Sequence, residues 1–182
     1  MRAFRLSIGL LVAILASNVD PAWAEPTSIR SFFGSYEGST LLQSDEIKNR
    51  ELRVIIRPFE EAGFTVRWRT LIFKPGKEPT GRTQVIYFEP SASNPKIYAA
   101  TPPEEAAGIA SDQPLAGRPF AWARIDDKTL TVNVLTISET GDYVVQTYNR
   151  TLTKTGLALA FVRVGNGEIE QRIWGELERV GD

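Results

Sequence analysis

From Pro26 onward the sequence alternates apolar and polar residues in short runs, and no long stretch holds a helical period. That alternation constrains the fold more than any other feature, because it puts one apolar and one polar face on an extended chain and has no use in a helix. Clusters of Gly, Pro, Asn and Asp punctuate the runs. The expected strands are Phe33 to Gly38, Glu51 to Phe59, Phe64 to Ile72, Thr83 to Glu89, Lys96 to Ala100, Pro119 to Ile125, Thr129 to Ile137, Tyr143 to Leu152, Leu157 to Val164 and Ile169 to Val180. Most connections are short and offer turn chemistry, such as Glu60-Glu61-Ala62-Gly63, Asp126-Asp127-Lys128 and Gly165-Asn166-Gly167. From Pro119 to the end five strands should run as an up-and-down meander.

Three stretches interrupt this pattern. Residues 43–50 and 74–82 read as irregular connections, the second as a flexible hairpin tip. The third, about 101–118, is rich in Pro, Ala and Gly, and is expected to form one short helix near Pro102 to Ala107 or a long loop. The expectation is an all-β protein, either a two-layer sandwich or an antiparallel up-and-down barrel of about eight to ten strands. Closure is favoured because it leaves no exposed edge.

The opening Phe33-Gly34-Ser35-Tyr36-Glu37-Gly38 resembles the Gly-x-aromatic start of the calycins, the group of lipocalins and fatty-acid-binding proteins. The resemblance covers the strand count and the two ends of the chain, with Tyr36 in place of the family's usual Trp. It implies a calycin-like barrel in which Arg172 or Arg179, on the last strand, closes the barrel over the first.

Ahead of the β pattern stands a different segment. Arg2 and Arg5 give a positive start, Leu6 to Ala16 an apolar core, and Ala22-Trp23-Ala24 the small residues that a signal peptidase reads. Residues 1–24 are expected to be a signal peptide cleaved after Ala24, leaving 25–182 as a single domain in the periplasm or outside the cell. A spanning helix needs roughly 20 apolar residues, and Asn18, Asp20 and Pro21 break this run early. No paired arginines mark a folded-protein export route, and without cysteine no lipidated anchor can be attached. No membrane anchor is expected after cleavage.

Cleavage would remove Arg2, Arg5 and Asp20, leaving 19 basic and 21 acidic residues and a net charge of about −2. That balance argues against nucleic acid as a partner. Past Met1 the chain has no His, Cys or Met. Ser-His-Asp and Cys-His catalysis, the common zinc and copper sites and haem ligation therefore fall away, and no metal or cofactor is expected. Glu60-Glu61, Glu104-Glu105 and Glu168-x-Glu170 are the obvious acid–base candidates, and an enzyme ranks behind a binding protein.

The more informative pattern is arginine beside aromatic residues. Trp122 and Arg124 share one strand face, as do Arg172 and Trp174. Arg53, Arg57, Arg67 and Arg69 stand opposite strongly apolar faces and are expected to point outward. Trp122, Arg124, Arg172, Trp174 and Tyr36 form the candidate ligand set, with arginine holding an acid group and rings covering an apolar tail. An inward arginine packed on a ring and satisfied by Glu176 or Glu37 would instead be a structural closure. Asn149-Arg150-Thr151 matches a glycosylation acceptor but lies within an expected strand. The leading expectation is an exported carrier of a small apolar or amphipathic anion, with a cavity bounded by Trp122, Arg124 and Trp174. The alternative is a non-enzymatic envelope or interaction protein whose barrel is filled by side chains.

Overall fold

A computed structural model of the chain describes residues 27–42, 50–73, 76, 78–101 and 114–182. Ten antiparallel strands close into a barrel: β1 Gly34–Leu42, β2 Arg50–Phe59, β3 Gly63–Ile72, β4 Thr80–Ser91, β5 Asn94–Ala100, β6 Phe120–Asp126, β7 Thr129–Ile137, β8 Tyr143–Leu152, β9 Gly156–Gly165 and β10 Glu168–Gly181. Each strand pairs with the next along the chain, and β1 pairs with β10 to close the cylinder. The alternation thus resolves to a barrel and not a sandwich.

Each expected strand has its counterpart, and the departures have local causes. β4 starts at Thr80, inside the stretch expected to be a hairpin tip, because Ile72 of β3 reaches across to pair with Thr80. A 3-10 turn at Ile29–Phe32 was not expected; it precedes β1 and carries two buried apolar side chains, Ile29 and Phe32. The signal segment 1–24 and the helix expected near Pro102 to Ala107 lie outside the described residues. The described end of that connection is a second 3-10 turn, Pro114–Ala116. Between β9 and β10 the two-residue loop Asn166-Gly167 has positive φ at both positions, 48° and 87°, the geometry that a tight hairpin demands.

The barrel interior divides along its axis. At one end, near the turns joining β2 to β3 and β6 to β7, large apolar side chains meet across the axis. Val54, Ile56, Phe64, Val66, Phe88, Leu130 and Val132 are fully buried there. Phe64 stacks on Phe88 and meets Tyr98 edge-on, with 5.0 Å between ring centroids in each pair. A barrel widens with strand number, so ten strands leave more room than eight for side chains to fill. The 3-10 turn supplies the extra filling through Phe32, which is fully buried; such a ring contributes roughly 1.5–3 kcal/mol by leaving water.

Tyr36 and Arg179 fasten this plug. The Tyr36 hydroxyl donates to the Phe32 carbonyl at 2.8 Å and accepts from Arg179 Nη2 at 2.8 Å, while the same nitrogen donates to the Ser31 carbonyl at 3.0 Å. The Arg179 guanidinium carbon sits 5.2 Å from the Tyr36 ring centroid. Burial pushes the Tyr36 hydroxyl above its ordinary pKa, with Arg179 opposing, so the group stays a donor at neutral pH. Of the two last-strand arginines expected to close the barrel over β1, Arg179 occupies that place.

Candidate functional site

Toward the opposite end, where β3 meets β4 and β9 meets β10, the inward face changes character. Apolar Leu52, Trp68, Ile72, Leu159, Phe161 and Ile173 share it with Thr70, Arg82, Gln84, Tyr148, Arg150 and Gln171, around a cup of about 310 Å³. The barrel is therefore filled in one half and hollow in the other.

Arg150 sits deep in this cup. Its register partners are Leu130 on β7 and Leu159 on β9, both apolar, so neither neighbouring strand supplies a counter-charge at its level. Its guanidinium carbon lies 5.7 Å from the Trp68 ring centroid and 5.4 Å from that of Tyr148. Those two rings are themselves 5.3 Å apart, and Tyr148 also packs on Phe161 at 4.7 Å. Arg150 is 1 % exposed, yet its Nε and Nη1 have no hydrogen-bond partner among the described residues. No Asp or Glu is among the described residues that line the cup.

Electrostatics explain why this arrangement is unusual. A buried charge is strongly disfavoured unless it is paired and hydrogen-bonded. Burial lowers the Arg150 pKa to about 10, with Tyr148 acting in the opposite direction, so the side chain is still a cation at neutral pH. The two adjacent rings recover part of the cost. The hydroxyl of Tyr148 does not ionise to help: burial raises its pKa, outweighing Arg150 and Arg163, and it donates to Gln146 Oε1 at 2.8 Å. Among the described residues of the cup no acidic side chain balances this cation.

The rim is tied together more conventionally. Arg163 pairs with Glu170 at 2.5 Å. Asn166 Nδ2 donates to Asp142 Oδ1 at 2.9 Å, and the Tyr143 amide donates to Asn166 Oδ1 at 2.9 Å, joining the β7–β8 turn to the β9–β10 turn. Asp142 also accepts from Thr140 Oγ1 at 2.7 Å. Hydrogen bonds from Thr140 and Asn166 hold its carboxyl below the usual range.

The residues expected to bound a cavity are elsewhere. Ala121 and Ala123 point inward on β6, at 1 % and 0 % exposure, so Trp122 and Arg124 alternate to the outside, where Trp122 meets Phe120 at 5.6 Å and Arg124 faces Asp126. On β10, Leu177 and Ile173 face the interior, which turns Arg172, Trp174 and Glu176 outward; Trp174 is 46 % exposed and pairs with Ala160. These four arginine and tryptophan side chains leave the barrel interior. The reason is that a ring beside a charge marks neither face of a barrel, since its outer wall carries rings too. Tyr36 is interior, but it belongs to the filled half. Glu37 pairs with Arg53 on the outer wall, so neither it nor Glu176 satisfies an inward arginine. Arg53, Arg67 and Arg69 are exposed, and Arg57 reaches Ser35 Oγ at 3.1 Å.

The buried arginine of the cup is Arg150, which in the sequence stands within the Asn149-Arg150-Thr151 glycosylation pattern. Asn149 in that pattern faces the other way and accepts from Thr131 Oγ1 at 2.9 Å within the sheet. The signal was present: Tyr148-x-Arg150 is the same ring-and-cation alternation as Trp122-x-Arg124, on a strand whose neighbours are more apolar. Among the acid pairs, Glu60 and Glu61 are exposed in a turn, Glu168 is exposed, and Glu170 is engaged with Arg163. Glu104-Glu105 lies outside the described residues. A larger hollow of about 1080 Å³ lies at the plugged end between the 3-10 turn and the strand turns, but Glu60, Glu61, Asp126 and Asp127, which line it, are all exposed. Among its described lining residues no buried polar side chain lacks a partner.

Neither a protein-family model nor a curated protein matches this sequence.

Proposed function

We propose that this is an exported binding or carrier protein that takes a small apolar or amphipathic anion into the open half of its barrel, with the acid group on Arg150 and the apolar body against Trp68, Leu159, Phe161 and Ile173. The observation that carries this reading is the buried Arg150 guanidinium with Nε and Nη1 unpartnered among the described residues, in a cup whose described lining includes no carboxylate. An acid group would supply the missing hydrogen bonds as a charge-assisted pair, the strong kind. The cup volume of about 310 Å³ lies at the lower end of the range for small-molecule sites, which suits a short ligand. A barrel filled throughout, as the alternative reading requires, would not leave this space.

Titration calorimetry with octanoate and with 1-octanol tests the reading, since the two share a chain length and differ in charge. Octanoate is expected to bind more than tenfold tighter, because a desolvated charge pair outweighs a neutral hydrogen bond. Arg150→Gln should erase that difference. Equal affinities for the acid and the alcohol would refute the assignment of Arg150 as the anchor. Export is tested separately, by the N-terminal sequence of the protein recovered from the periplasm or medium, which should begin at Glu25.

A further inference from the structure

The cup holds a second cation. Arg82 of β4 lines it, and β3–β4 register fixes its place: Trp68 pairs with Gln84, and Thr70 pairs with Arg82. Arg150 stacks against the Trp68 rung. Arg82 is thus one inward-facing rung nearer the mouth, a step of two residues or about 7 Å along the strand. The polar lining clusters around it, with Thr70 directly opposite and Gln84 on the next rung down.

Two guanidinium groups therefore face one cup, and its described lining residues include no carboxylate. Among the described residues, the ion pairs are Arg53 with Glu37, Arg124 with Asp126, Arg163 with Glu170 and Arg179 with Asp182, and neither Arg82 nor Arg150 takes part. One negative charge would match Arg150 alone and leave the cup cationic. Resting on the reading that the cup takes an anion, we propose that its ligand carries two negative charges, the inner one met by Arg150 and the outer one by Arg82. The two arginines act differently. Arg150 is buried and fixes the inner acid by desolvated hydrogen bonding, whereas Arg82 is exposed and solvent-screened, so it sets preference for charge and not the bulk of affinity.

Calorimetry with octanoate, octanedioate and octyl phosphate tests this in the unaltered protein, Arg82→Gln, Arg82→Lys and Arg150→Gln. One of the two dianions is expected to bind roughly two- to fivefold tighter than octanoate, the range that an exposed ion pair supplies. Preference for octanedioate would put the charges at two ends of the ligand, and preference for octyl phosphate would put both on one group; either supports the proposal. Arg82→Gln should abolish the advantage by weakening the dianions more than octanoate, and Arg82→Lys should keep part of it. Octanoate binding as tightly as both dianions, or an advantage that survives Arg82→Gln, would overturn the second charge while the Arg150 anchor stands. Failure of all three probes to bind, or binding that Arg150→Gln leaves intact, would overturn the cup reading itself and this proposal with it.

Discussion

Replacing Arg150 by Met should make the empty protein more stable, although it deletes a large buried side chain. Burial holds the Arg150 pKa at about 10, well below the usual guanidinium range, and at about 1.4 kcal/mol per pKa unit the charged form is disfavoured by roughly 3 kcal/mol. The side chain is 1 % exposed, so solvent screening does not reduce that figure. Against it stands the attraction to the Trp68 and Tyr148 rings, up to about 2 kcal/mol for a desolvated cation. Met keeps much of the packing volume and contacts rings well. The net expectation is a gain of about 1–2 kcal/mol, or about 2–8 °C in Tm for a chain of this size. Urea and thermal unfolding of ligand-stripped protein measure it. The sign with pH also follows: below about pH 10 the group is charged in both folded and unfolded chains, so the advantage of Met should be constant from pH 5 to 9 and shrink only above pH 10, where the native side chain sheds its proton first. Adding octanoate at a hundred times its dissociation constant should stabilise the native protein by about 2.7 kcal/mol and leave the Met variant unmoved, reversing the order. A loss of more than about 2 kcal/mol in Arg150→Met without ligand would refute the reasoning, because it would make Arg150 a satisfied strut.

Three further outcomes concern the frame around the cup. Tyr36→Phe removes a donor to Phe32 and an acceptor for Arg179, and should cost about 1–3 kcal/mol in urea unfolding while leaving octanoate affinity unchanged. Gly38→Ala would drive a methyl group into the Glu176 carbonyl where β1 meets β10, and should destabilise by about 1–3 kcal/mol or more, read from the same unfolding curves. At the mouth, the Asp142 carboxyl is held below its unfolded pKa, so its contribution is full above the unfolded value and is lost as pH falls through the lowered one. Hydrogen exchange at the Tyr143 amide should therefore rise, relative to its intrinsic rate, on acidification, and Asp142→Asn should flatten that rise.

Fold and site were not equally legible in the sequence. Strand alternation and turn residues located ten strands because both are local: Asn166-Gly167 marks a tight hairpin wherever it occurs, and Leu52, Val54 and Ile56 share one face on any sheet. The plug at Ile29–Phe32 was not legible, since its reason is the width of a ten-stranded cylinder, a property of the closed whole. The site depended on which face of each strand turned inward, and only packing decides that. On β6 the inward residues are Ala121 and Ala123, small enough to sit beside Tyr98 and the facing core, so the conspicuous Trp122 and Arg124 go outside. On β8 the inconspicuous Tyr148 and Arg150 go inside because Leu130, Val132, Leu159 and Phe161 on the flanking strands do.

The most direct measurement is the Arg150 side-chain Nε–H resonance in a ¹⁵N NMR spectrum, assigned by its loss in Arg150→Gln and followed as octanoate is added. An acid group taking up the unpartnered Nε should shift that one resonance strongly and saturably while those of the outward Arg53, Arg124 and Arg172 stay in place. An Arg150 resonance unmoved at saturating octanoate would contradict the central claim that this buried cation is the anchor of an anion site.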